Sequence, residues 1–228
     1  MDLNLSMPKN IENIHPKISV IGIGGAGCNA VNTMIKSNVS NIDFLVANTD
    51  GQALSRNLAK KQIQLGQELT NGLGAGSDYT VGEKAALESI DEVIMEIEDI
   101  NMLFITTGMG GGTGTGAAPI IAEKAKETVI LTIAVVTKPF EFEGKKRMET
   151  AEIGLEKLKK AVDTIIVIPN QNLFKIANEK TTFSEAFRLA DDVLYQGITG
   201  ITDLITSPGM INLDFSDIKT VMKNMGQA

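Results

Sequence analysis

The chain has 228 residues, 43% of them hydrophobic, a composition typical of a soluble globular protein that can bury a core. Its formal net charge of −7 argues against a nucleic-acid partner, because such partners favour a basic surface. A single cysteine excludes an internal disulfide and fits a reducing, cytoplasmic location. The longest apolar run, Val129 to Val136, is too short to span a bilayer, so we expect no direct membrane insertion.

Short β-branched runs alternate with helical segments after a polar lead-in at residues 1–16. Strands are predicted at 17–23, 43–48, 62–66, 101–107, 129–136 and 163–169. Helices are predicted at roughly 26–37, 78–97, 114–127 and 145–160. This alternation predicts an α/β fold: a Rossmann-like, mostly parallel sheet with helices on both faces. Ligands of such sheets bind beyond the carboxyl ends of the strands, so the loops there are candidate sites.

A long central helix is predicted from Thr182 to Ile205, where apolar residues recur at spacings of three and four. Thr182 and Glu185 have the pattern of a capping box at its start. The sequence therefore divides into the lead-in, an α/β domain at 17–180, the central helix at 181–205 and a terminal segment at 206–228. That last segment predicts a loop and the start of another helix.

Two glycine-rich loops each follow a predicted strand. Gly22, Gly24 and Gly27 spell G-x-G-x-x-G, and Asp43 lies near the spacing of the acidic residue in a dinucleotide fingerprint. This motif leaves open a dinucleotide-binding oxidoreductase, and also a tight turn without a ligand. The second loop, GGGTGTG at 110–116, can wrap a multiply charged anion with its backbone N–H groups, and it lacks the lysine of a Walker A loop.

The two loops together favour a ligand with a longer phosphate chain, held from two sides. A third loop, Thr70 to Asp78, also follows a strand and precedes a helix. It reads equally well as an ordinary surface loop. If all three loops lie at strand ends, they form one mouth.

Several motifs resemble those of the tubulin/FtsZ family: NTDGQAL at 48–54, GLGAGSD at 72–78, GGGTGTG at 110–116, and NLDFSDI at 212–218. The resemblance extends from about Lys17 to Ala228. It implies that the domain at 17–180 binds GTP or GDP, with Mg²⁺ accompanying GTP. It further implies a GTPase that polymerises into filaments of the bacterial division ring, in the cytoplasm at mid-cell.

The resemblance assigns nucleotide contacts to four groups of residues. The first glycine loop would hold phosphates and ribose, with Asn29 reaching the base, and the second would hold phosphates. Ala75 to Ser77 would sense the γ-phosphate, and later residues would contact the sugar and base. The assigned positions are Gly24, Gly25, Ala26, Gly27, Cys28, Asn29, Ala75, Gly76, Ser77, Gly110, Gly111, Gly112, Thr113, Gly114, Thr137, Glu143, Arg147, Asn170, Phe187 and Asp191.

Phe187 and Asp191 are four residues apart and share a face of the central helix. A carboxylate can accept from both N1–H and the 2-amino group of guanine, donors that adenine lacks, while a phenyl ring can stack on the purine. The pair is therefore a candidate guanine reader. The alternative is that Phe187 belongs to the core and Asp191 is solvated.

The resemblance places Asn212, Asp214 and Asp217 in a catalytic loop that enters the pocket of the next subunit in a head-to-tail filament. There the acidic residues would orient and polarise the attacking water. On the residues alone, Asp214 and Asp217 also fit a helix cap. Cys28 likewise allows two interpretations: a reactive thiol at a helix N-terminus, or a small apolar side chain.

Family members carry a second domain, a linker and a tail that recruits membrane-tethering division proteins, and the 228 residues contain none of these. We therefore expect a truncated form of a longer protein. It should bind guanine nucleotide but polymerise and hydrolyse poorly.

Overall fold

A computed structural model describes residues 16–128, 130–175, 181–206, 215–223 and 225–227. These residues form a parallel sheet of seven strands in the order β3-β2-β1-β4-β5-β6-β7. The strands are β1 Ile18–Ile23, β2 Asp43–Asn48, β3 Lys61–Gln64, β4 Met102–Gly108, β5 Leu131–Lys138, β6 Thr164–Pro169 and β7 Gly226–Gln227. Residues 1–15 of the expected lead-in lie outside the described ranges.

The helices that accompany this sheet vary from one turn to more than six. They are α1 Gly24–Lys36, α2 Gly51–Ser55, α3 Gln67–Thr70, α4 Tyr79–Glu88, α5 Ile90–Ile97, α6 Thr113–Glu127, α7 Lys145–Ala161, α8 Phe183–Thr206 and α9 Phe215–Met222. Short 3-10 turns at Glu141–Glu143 and Asn170–Lys175 precede α7 and follow β6.

Side chains on the two faces of the sheet enter two apolar clusters. In β1, Ile21 and Ile23 pack with buried residues of α4 to α7, whereas Ile18 and Val20 pack with buried residues of α1, α8 and α9. Every second strand residue therefore faces a helix layer on one side, and the next faces the layer on the other. The predicted Rossmann-like α/β sheet, covered on both faces and followed by a long helix, is confirmed.

The order of the strands reverses between β1 and β4, which are neighbours although two strands separate them in the chain. In open parallel sheets, the crevice beyond the carboxyl ends of two such strands is the usual place for a ligand. Here the first two glycine loops leave the sheet at that point, because they follow β1 and β4.

Local hydrogen bonds explain one helix prediction that is confirmed and one that is wrong. The capping box of α8 is present: Glu185 N–H donates to the Thr182 hydroxyl, and Thr182 N–H donates to the Glu185 carboxylate at 2.7 Å. The single helix predicted at 78–97 is wrong, since Ser89 separates α4 from α5. The Ser89 hydroxyl accepts the Gly66 N–H at 3.0 Å, which fixes the break against a neighbouring loop.

Candidate functional site

A cleft of about 580 Å³ opens at the carboxyl edge of the sheet. This volume is within the range of small-molecule sites. All three predicted loops contribute to it, so the expected common mouth exists. We call one part the glycine end, comprising Gly24, Gly25, Ala26, Gly74, Ser77, Gly111, Gly112, Thr113 and Gly114. We call the other part the α8 end, comprising Asn29, Phe187, Ala190, Asp191 and Leu194.

The loops of the glycine end touch one another through bare backbone. Gly24 has a φ of +70°, and a Cβ there would lie 3.0 Å from the backbone nitrogen of Gly114. A Cβ on Gly112 would lie 2.8 Å from the Cβ of Ala75. Glycine is therefore required for this close approach. The resulting wall of backbone, with the N-termini of α1 and α6 beside it, is suited to an anion.

Five residues assigned to nucleotide contacts do not line the cleft: Gly27, Cys28, Ala75, Gly76 and Gly110. Gly27 packs under the loop, where an added Cβ would lie 2.3 Å from the Thr106 carbonyl oxygen. Gly110 donates its N–H to the Thr115 hydroxyl at 2.8 Å, so it supports the second loop from behind. These residues shape the loops around the cleft, and whether their backbone also contacts nucleotide stays a prediction.

The Cys28 side chain is buried behind the first loop, 3.9 Å from the Gly22 carbonyl oxygen and from the Asn48 amide nitrogen. Burial raises the pKa of its thiol to about 12. The interpretation of Cys28 as a reactive thiol is therefore wrong, and the small apolar interpretation fits. Its place at the start of a helix does not lower the pKa, because the loss of solvation has the larger effect.

The motif at 48–54 was noted only as a resemblance, and no contact was assigned to its Asn48, Thr49 and Asp50, which line the cleft at the end of β2. The Thr49 hydroxyl lies 2.7 Å from the Thr113 hydroxyl. Asp50 caps α2 by accepting the N–H groups of Gln52 and Ala53 with one carboxylate oxygen. A signal was available, since these residues follow a predicted parallel strand and must lie at the same edge as the glycine loops.

The cleft is also bordered by Thr137, Glu143, Arg147 and Asn170, all assigned from the resemblance. Glu143 accepts the Phe140 N–H at 2.9 Å and pairs with Arg147 through its other oxygen. Asn170 is only 5% exposed, and within the described residues its amide oxygen has no hydrogen-bond partner. A buried acceptor left unpaired at the wall of a cleft indicates a donor that belongs to a ligand.

At the α8 end, Phe187 and Asp191 both face the cleft, as their spacing predicts. Phe187 is 42% exposed, and its ring lies edge-on to the buried Phe140, with centroids 5.6 Å apart. Burial, with a smaller effect of neighbouring Asp192, raises the pKa of Asp191 to about 7. The alternative of a core Phe187 and a solvated Asp191 is therefore wrong, because the ring is open to the cleft and the carboxyl is desolvated.

Of the three predicted catalytic residues, Asn212 and Asp214 lie outside the described ranges. Asp217 lies in the first turn of α9. The far end of this helix is fixed at the amino end of β6, where the Thr164 hydroxyl donates to the Met222 carbonyl at 2.6 Å. A strand of six or seven residues separates this edge from the cleft by roughly 20 Å. Asp217 is thus on the opposite edge of the sheet from the cleft of its own chain.

Asp43, the acidic residue offered for a dinucleotide fingerprint, is also at the amino edge, as the first residue of β2 opposite Ser19. A ribose-binding carboxylate has to lie near the carboxyl end of that strand. The assignment of Asp43 to this role is therefore wrong. The G-x-G-x-x-G loop alone does not distinguish a dinucleotide from another phosphate ligand.

Comparison with known proteins agrees with this geometry. A family model described as the Tubulin/FtsZ family, GTPase domain, matches residues 17–178. The chain belongs to the Tubulin/FtsZ family. A relative from Wolbachia sp, named Cell division protein FtsZ, is 61% identical and covers 100% of this chain and 60% of its own length. Another from Rhizobium meliloti, Cell division protein FtsZ 2, is 59% identical over 96% of this chain and 63% of its own.

Among solved structures of the family, an empty FtsZ dimer from M. jannaschii superimposes with a TM-score of 0.91 at 47% identity. The match covers 95% of this chain and 63% of that one. The chain spans between 38% and 65% of the length of the relatives that it matches. Within its described ranges, no helix is both long and apolar enough to cross a membrane.

Proposed function

We propose that this chain contains the guanine-nucleotide site of a GTPase that polymerises into filaments of the bacterial division ring. The observation that supports the site best is the meeting of three glycine-bearing loops with Phe187 and Asp191 in one cleft. The glycine end suits a chain of phosphates, since it offers backbone N–H groups and two helix N-termini. The α8 end suits guanine, since a carboxylate and an open phenyl ring face the same space.

The residues that border the rest of the cleft suit the ribose. Asn170 offers a buried amide oxygen that has no partner among the described residues and would accept from a sugar hydroxyl. Glu143 and Arg147 hold each other at the rim and would contact the same region. The glycine end, these residues and the α8 end would therefore hold the triphosphate, the ribose and the base of GTP.

The described residues at the glycine end fit Mg²⁺ bound together with GTP. No group of three or more potential metal-ligating side chains occurs in the described ranges. Nucleotide-bound Mg²⁺ needs no such group, because phosphates and water supply most of its ligands and the protein adds one or two carboxylates. Asp50 borders the glycine end and would be that carboxylate. The ion would neutralise charge on the phosphates.

Hydrolysis would be completed between two subunits. The Asn212–Asp217 loop would orient and polarise the attacking water in the cleft of the next subunit. Phosphoryl transfer depends mainly on such positioning and electrostatics. The placement of Asp217 at the edge opposite its own cleft supports action on a neighbour in a head-to-tail filament. The description of the M. jannaschii relative as a dimer is in line with self-association.

The names of the relatives support the cellular setting, since they are called cell division proteins. We propose a cytoplasmic protein at the mid-cell division ring, tethered to the membrane through partners that bind a tail beyond these residues. The 228 residues tested alone should bind GTP and hydrolyse it slowly, because turnover would need a productive contact between subunits.

The catalytic assignment is tested by separating binding from turnover in the full-length parent protein. Asp217→Ala should bind GTP with unchanged affinity and lose at least 90% of the GTPase rate, as expected for a group that positions the nucleophile. Asp203→Ala, an exposed acidic residue of α8, is the control and should keep both properties. Loss of GTP binding in Asp217→Ala would assign this residue to the local fold and contradict the proposal.

A further inference from the structure

Thr49 joins two of the loops that form the glycine end. Its side chain is fully buried, and its hydroxyl lies 2.7 Å from that of Thr113, the first residue of α6. Its carbonyl accepts the Gly74 N–H at 3.2 Å. Thr49 is therefore held in place by the third loop while its hydroxyl meets the second loop.

The two hydroxyls of this pair have few protons to donate, which limits the hydrogen bonds they can form. Each hydroxyl has one proton to donate. Within the described residues, the hydroxyls of Thr49 and Thr113 have only each other as side-chain hydrogen-bond partners. Both threonines border the cleft, but Thr49 is fully buried, whereas Thr113 is partly exposed. A phosphate oxygen can only accept, so a Thr113 hydroxyl that contacts a bound phosphate has to donate its proton there. The short contact between the hydroxyls then requires Thr49 to donate.

We propose that Thr49 is a positioning residue that donates its hydroxyl proton to Thr113 and so directs the Thr113 proton toward a bound phosphate. The proposal rests on the proposed function, because it takes Thr113 as a phosphate contact. When one hydroxyl donates to a second and the second donates to an anion, the two hydrogen bonds polarise each other. The bond to the anion is therefore stronger. Thr49 acts through Thr113, because its own side chain is buried.

A double-mutant cycle tests this directly, with affinity for a slowly hydrolysed GTP analogue as the readout. Thr49→Val removes the donor at nearly constant volume and should weaken binding about fivefold, the effect of one hydrogen bond. Thr113→Val should weaken it about tenfold. The double variant should bind as Thr113→Val does, because the Thr49 proton has lost its acceptor. Thr49→Ser, which keeps the hydroxyl, should restore affinity to within about twofold.

Two controls separate this role from a structural one. Thr132→Val makes the same change at a fully buried threonine near the amino edge, whose hydroxyl bonds to the Ile130 carbonyl, and should leave affinity unchanged. Guanosine, which has no phosphate, should bind wild type and Thr49→Val equally in competition. Failure of the wild type to bind the analogue would overturn the proposed function. If the wild type binds the analogue but the losses of the two single variants add up in the double variant, only the role of Thr49 is overturned. An equal loss of guanosine affinity in Thr49→Val would overturn that role too.

Discussion

The two ends of the cleft are built from different parts of the chain. The glycine end is mostly backbone, supplied by three loops that contact one another where a side chain would collide. The α8 end is formed by side chains on one face of a single helix. Backbone N–H groups recognise any phosphate chain, so they supply affinity and little selectivity. The choice of base then depends on a few side chains, above all Asp191.

The largest expected effect comes from closing the space between two loops of the glycine end. Gly24→Ala places a methyl group 3.0 Å from the Gly114 nitrogen on a residue with a φ of +70°. We expect GTP affinity to fall more than a hundredfold, with a loss of about 1–3 kcal/mol in the free energy of unfolding.

The matched control for Gly24 is its neighbour. Gly25→Ala meets nothing within 4 Å and should leave the free energy of unfolding unchanged within about 0.5 kcal/mol. Titration calorimetry and urea denaturation of both variants measure the two quantities. Equal stability and near-normal GTP affinity in Gly24→Ala would show that the contact between the loops does not shape the site.

The second prediction concerns selectivity at the α8 end. Asp191→Asn should reduce the preference for GTP over ATP roughly ten- to a hundredfold, since hydrogen bonds to a charged acceptor are lost. Asp192→Asn removes the same charge from an exposed neighbour that does not line the cleft, and should keep the preference. Competition titration with both nucleotides provides the ratio. An unchanged ratio in Asp191→Asn would assign base recognition elsewhere.

The third prediction uses the raised pKa of Asp191, about 7 in the protein without nucleotide. Guanine donates to the ionised carboxylate, so binding must release the proton wherever Asp191 is protonated. GTP affinity should therefore fall about tenfold for each pH unit below 7 and level off above it. Asp191→Asn should show a flat profile between pH 5.5 and 7.5, measured in buffers of equal ionic strength. A flat profile in the wild type would contradict the assignment.

The smallest expected effect is a change in melting temperature, and it again concerns a residue of the α8 end. Because burial raises the folded-state pKa of Asp191 above its ordinary value near 4, its stabilising contribution is complete below pH 4. That contribution is lost as the pH rises through about 7. Asp191→Asn should therefore melt about 2–4 °C above the wild type at pH 8, without nucleotide, and lose this advantage by pH 4. An equal advantage at both pH values would point to packing instead of charge.

The contrast between the two ends also explains what the sequence could predict. The three glycine loops are local signals that follow apolar strands, and parallel topology brings such loops to one edge. Strand β2 was predicted at its observed bounds, because its apolar run is also a local signal. Spacing on α8 correctly put Phe187 and Asp191 on one face, but it could not show that the ring stays open while the carboxyl is desolvated. Those properties depend on contacts with Phe140 and on the packing of α8 against the sheet.

Other features depended on contacts between distant segments. The break at Ser89 requires Gly66 as a hydrogen-bond partner, and helical periodicity does not register it. Thr49 was given no role although it lies in the motif at 48–54, because a threonine after a strand has no distinctive pattern, and its meaning comes from Thr113, 64 residues away. The pKa of Cys28 is set by burial, which a motif does not reveal.

The most direct test of the central claim is to identify the nucleotide that the purified chain carries. The protein is denatured, and the released small molecules are separated by ion-exchange chromatography beside GDP, GTP and nicotinamide dinucleotide standards. We expect GDP or GTP, or a chain that is empty as purified and takes up GTP on addition. A nicotinamide dinucleotide, or an empty chain that takes up no GTP, would contradict the claim that these residues build a guanine-nucleotide site.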